Sequence, residues 1–92
     1  MDKQTKELLH IAQEECAEVT QAISKIFRFG IDSIWNCQTN QEHLEEELGD
    51  LQAMINLLQE HNIVRLEKVN EATAAKRKKL SFWSNIDLSD DK

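Results

Sequence analysis

At 92 residues the chain amounts to one small domain, whose single core stabilises only modestly on its own, so a homo-oligomer, dimer or tetramer, is expected. Proline and tyrosine are absent, glycine occurs twice, and Leu, Ala, Glu, Lys and Gln dominate the long segments, which predicts an all-α fold and argues against strands. A formal net charge of −6 argues against a nucleic-acid polymer as partner, and two cysteines without CxxC spacing, Cys16 and Cys37, argue against a disulfide framework or a zinc site.

The charged start MDKQTKELLH, with no apolar run of membrane-spanning length anywhere, predicts a soluble cytoplasmic protein without a membrane partner. From about Asp2 to Phe27, apolar residues recur at three and four (Leu8, Ile11, Ala12, Val19, Ala22, Ile23, Ile26, Phe27), as on one face of a long amphipathic helix. Gly30 ends it. The segment 29–40, FGIDSIWNCQTN, reads as a loop with at most a short helical turn, and its Ile31, Ile34 and Trp35 are expected to be buried.

A second helix is predicted from Thr39 or Asn40 to about His61, because Thr39 and Glu42 match a capping box. Leu44, Leu48, Leu51, Ile55 and Leu58 form its seam, and Met54 and Leu57 widen the apolar face enough for two neighbours, one of them from another subunit. Asn62 is the expected stop. A third helix over about Val64 to Leu80 carries Leu66, Val69, Ala72 and Leu80 on one side. Residues 1–82 then form a single helical domain, and 83–92 a polar, acidic tail containing Asp87, Asp90 and Asp91, with Phe82 and Trp83 anchoring its start.

Two pairs of acidic residues lie inside the apolar stripes. Glu15 and Glu18 share one face of the first helix, and Glu47 and Asp50 one face of the second, because residues three apart project together. At an effective dielectric near 20, two charges about 5 Å apart repel by roughly 3 kcal/mol, so four around one point call for cations. Hard divalent ions, Mg²⁺ with Mn²⁺ as substitute, match oxygen ligands. Gly49, between the second pair, leaves room beside the backbone. The competing reading is four solvated surface carboxylates. The basic run Lys76, Arg77, Lys78 and Lys79 fits either a phosphate contact or a solvated helix end. His10, four before Glu14, is expected to pair with that carboxylate, Cys16 to be a small buried hydrophobe, and Trp35 and Trp83 to be core or interface residues rather than platforms for a base.

Glu14-Glu15-x-x-Glu18, then 28 residues, then Glu47-Leu48-Gly49-Asp50 resembles the signature of the MazG-like all-α nucleoside triphosphate pyrophosphohydrolases of phages and bacteria. EECAEVTQAISKIFRFG is similar to the first half of that motif, EEELGDLQAMINLL to the second, and AAKRKKLSFWSN to the basic third-helix segment of those relatives. The resemblance implies a helical bundle of about three helices completed by oligomerisation, in which Glu15, Glu18, Glu47 and Asp50 coordinate Mg²⁺ and Glu14 positions or deprotonates the attacking water. It implies attack at the α-phosphorus of a nucleoside triphosphate, giving the monophosphate and pyrophosphate, as in nucleotide pool control or house-cleaning. Lys25 and Arg28 are the first candidates for binding the phosphates, Lys76 and Lys79 the second. If phage-encoded, the chain would work in the host cytoplasm. Two alternatives stand beside this reading: a non-catalytic metal- or nucleotide-binding helical oligomer or regulatory module, and a phosphoribosyl-ATP pyrophosphohydrolase.

Overall fold

The computed structural model describes residues 1–88, so Asp90 and Asp91 of the acidic tail lie outside the described residues. Three helices dominate: α1 (Lys3–Phe29), α2 (Asn40–Glu60) and α3 (Leu66–Trp83). Asp2 caps α1 by accepting the Thr5 backbone N–H at 2.7 Å. At the other end Gly30, at φ 97°, donates its N–H to Ile26 and turns the chain out of the helix, a backbone conformation that a side chain would strain.

The connection is a miniature hairpin, β1 (Ile34–Trp35) paired antiparallel with β2 (Gln38–Thr39), where a loop was expected. Asn36 and Cys37 both sit at positive φ, 55° and 65°, so the turn has the twist of a two-residue type I′ connection. Strands of two residues are too short to display an alternating pattern, which hides them in the sequence. Three bonds tie the segment to the start of α2: Asn40 N–H to Ser33 O, Gln41 N–H to Ile31 O, and the Asn40 side-chain amide to Gly30 O at 2.9 Å. Thr39 and Glu42 form the expected capping box. Asn62, at φ 59°, ends the α2 turn in the left-handed conformation, while Ile63 and Val64 donate back to Leu58 O.

α2 returns along α1, and the contact between them is the principal packing interface. Among the described residues the buried apolar side chains are Ala22 on α1 and Met54 on α2, with Asn40 the buried polar one. Leu8, Ala12, Val19 and Ile26 face Leu44, Leu51, Ile55 and Leu58 only half-buried. α3 packs closely on neither helix. The radius of gyration is therefore 16.0 Å, in a flat body of 41 × 38 × 16 Å, against about 13 Å for a compact domain of 100 residues. Its accessible surface of 7573 Å² exceeds the roughly 5,500 Å² of a compact monomer of this mass by about 2,000 Å².

Several residues expected inside are outside. Ile31, Ile34 and Trp35 are exposed, as are Phe82 and Trp83, which continue α3 instead of anchoring a tail. Cys16 is exposed as well. Each is apolar, yet the described residues leave it uncovered. Because the capping box fixes where α2 begins, Thr39→Ala should destabilise the chain by about 1 kcal/mol, measured by urea denaturation; an unchanged midpoint would mean that the hairpin bonds alone set that boundary.

Candidate metal centre

The site grows out of the α1–α2 contact. Helical periodicity turns Glu15 toward α2, and the same periodicity turns Glu47 and Asp50 toward α1. One carboxylate oxygen from each of the three lies within 4.8 Å of the others. Glu15 and Glu47 are half-buried and Asp50 is exposed, so the cluster opens to solvent on one side. Glu18, one turn further along α1, does not join at that spacing, and Glu14 is exposed at the flank. A Cβ built on Gly49 would meet nothing within 4 Å, so the space expected beside it is present and is open.

Electrostatics mark the same point. The Glu15 carboxyl is pushed above its ordinary value, first by partial loss of hydration and then by the negative charges of Asp50, Glu47, Glu18 and Glu14. All four neighbours thus act on Glu15, although only two reach ligand distance. Three oxygens of this kind are hard donors with no sulfur or nitrogen among them, the set suited to Mg²⁺ or Mn²⁺.

A histidine that sequence reasoning missed borders the cluster. His43 Nε2 meets Glu47 Oε1 at 3.2 Å, one helical turn away. Its position four residues before Glu47 was the available signal. The expected pairing of His10 with Glu14 is not formed; both line a shallow open depression on α1 together with Lys6 and Ile11.

The four candidate phosphate cations separate. Lys25 is half-buried and lines a cleft with Trp35, Asn36, Gln38, Asn40 and His43. Arg28 is exposed, its guanidinium 5.0 Å above the centre of the Phe29 ring. Lys76 and Lys79 are exposed on α3 and are not brought to the carboxylates of their own chain. Among the described residues no helix is long and apolar enough to cross a membrane.

An open centre of three carboxylates between two helices of an all-α fold has the donor set of a site for a hard divalent cation. The model of the MazG nucleotide pyrophosphohydrolase domain matches residues 3–81, and the chain belongs to that family. No curated protein and no solved structure matched it.

Because Glu15 binds its proton more tightly in the folded chain, its contribution to stability is complete below the ordinary glutamate value of 4.5 and is lost as pH rises through the raised folded value. Glu15→Gln should therefore be more stable than the parent at neutral pH in metal-free buffer, with the gap closing below about pH 4.5. Added Mg²⁺ or Mn²⁺ should reverse the order by binding the parent in its folded form. Thermal melts at several pH values, with and without the ion, check both signs.

Proposed function

We propose that the chain is a Mg²⁺-dependent nucleoside triphosphate pyrophosphohydrolase, acting on an NTP or dNTP in nucleotide pool control or house-cleaning. The observation that carries this reading is the convergence of Glu15, Glu47 and Asp50 in a member of this family. These three would hold Mg²⁺, or Mn²⁺ in its place, with Glu18 completing the set from one turn away. Bound there, the ion would neutralise phosphate charge and lower the pKa of a water molecule.

The remaining steps fall to side chains of this protein. Glu14, exposed beside Glu15, takes a proton from the water whose oxygen attacks the α-phosphorus. The bond from that phosphorus to the bridging oxygen breaks, and pyrophosphate leaves with the electron pair. Lys25 is the cation best placed to meet substrate from within the same chain. Arg28, Lys76 and Lys79 face solvent here and would contribute phosphate contacts from the rim or from a neighbouring subunit.

The protein is proposed to work as a homo-oligomer, at least a dimer, in the cytoplasm. The excess surface of about 2,000 Å² over a compact monomer is more than the roughly 800 Å² per partner that a standard interface covers. The exposed Leu66, Phe82 and Trp83 of α3 supply apolar area for it.

Glu15→Ala, Glu47→Ala and Asp50→Ala should each reduce pyrophosphate release by more than the ~100-fold that changes in outer-shell partners reach, while circular dichroism stays helical. The assay needs a panel of common and damaged nucleotides and phosphoribosyl-ATP, with calorimetry of Mg²⁺ and a non-hydrolysable nucleotide beside it. Binding without turnover on the whole panel would identify a non-catalytic module instead, and turnover of phosphoribosyl-ATP alone would move the substrate assignment.

A further inference from the structure

Resting on the pyrophosphohydrolase reading, we propose that the cleft between Lys25, the hairpin and the start of α2 receives the nucleobase of the substrate and sets base preference. It is lined by Lys25, Trp35, Asn36, Gln38, Asn40 and His43 and has a volume of about 120 Å³. That is below the ~300 Å³ of a site enclosing a whole small ligand and equals about four waters at ~30 Å³ each. It suits a ring-sized fragment, not a complete nucleotide.

The cleft adjoins the carboxylates through His43, which lines it and meets Glu47 at 3.2 Å. Four residues of helix separate the two, on the order of 6 Å along the axis. With the α-phosphorus at the carboxylates, a base one sugar away falls within this range. The phosphates themselves fit the lining poorly. It holds one lysine and no arginine, whereas a triphosphate calls for several cations.

What the lining offers is a flat ring and amides. Trp35 presents an exposed indole of the kind on which bases stack. Gln38 donates its amide N–H to Glu46 Oε2 at 2.7 Å, and Asn40 donates its own to Gly30 O at 2.9 Å. A carboxylate and a carbonyl only accept, so both amide orientations are fixed by chemistry, leaving on each amide a carbonyl oxygen to accept and a second N–H to donate. Asn36, held in the turn at φ 55°, adds an amide with both functions. Side-chain amides of this type, each with a donor and an acceptor in a fixed orientation, pair with base edges.

The test uses tryptophan emission. Trp83 is exposed on α3, and Trp83→Phe leaves Trp35 as the sole tryptophan of the chain. This variant is titrated in Mg²⁺ with α,β-imido analogues of the four dNTPs and, separately, with inorganic tripolyphosphate, each followed in parallel by calorimetry. Trp35 emission should change with the nucleotides and stay constant with tripolyphosphate. An equal response to tripolyphosphate, or silence from Trp35 while calorimetry registers nucleotide binding, overturns the assignment and leaves the pyrophosphohydrolase reading intact. No heat with any nucleotide, together with no turnover, overturns both. In the steady state, Trp35→Ala should raise KM about tenfold, and Gln38→Ala should compress the spread of kcat/KM across the four bases. A spread unchanged in both variants also overturns the assignment.

Discussion

Mutual repulsion among carboxylates is the constraint on which the rest of this structure turns. α1 and α2 bring three acidic oxygens within 4.8 Å of one another, at the interface that should hold the chain together. Like charges at such a separation oppose that contact, and the raised pKa of Glu15, due first to lost hydration and then to these charges, records it. The interface offers little against this, since Ala22 and Met54 are the buried apolar residues described. Capping at Asp2 and Thr39 and the bonds around the hairpin therefore carry much of the local order. A bound cation would convert the same cluster from a strain into a clasp.

The helices were legible because their signals are local. Gly30, the Thr39 and Glu42 pair and Asn62 each act through backbone bonds within a few residues, and each appears where the spacing places it. The hairpin was not legible, because its turn uses Asn36 and Cys37 without the glycine that usually marks a type I′ connection. Burial failed for a different reason. Ile34, Trp35, Phe82 and Trp83 look like core residues by type, but burial depends on what lies opposite, and the described residues leave all four exposed. The third helix forms as its spacing predicts, although among the described residues it packs closely on neither α1 nor α2.

For the site, helical periodicity sufficed to place Glu15, Glu47 and Asp50 together, because two helices joined by a short connection must run back along each other. Glu18 is the exception in the same motif: it shares a face with Glu15 but stands a turn away from the cluster, acting on it through charge. His43 is the converse. It carries no motif, and only the register of α2 against Glu47 gives it a role. A resemblance in motif thus points to the carboxylates that converge, while the groups that surround them depend on the particular helix register.

The loose attachment of α3 bears on how the molecule opens. Every residue of the acidic centre lies between Glu15 and Asp50, inside the contiguous α1–hairpin–α2 segment, so its assembly does not call on α3. α3, with few tertiary contacts to protect its backbone amides, belongs to the low-stability end of the local unfolding spectrum. Its amides should exchange with solvent long before those of α1 and α2; under the proposed homo-oligomer they would slow down as chain concentration rises, making exchange in one helix a direct gauge of assembly.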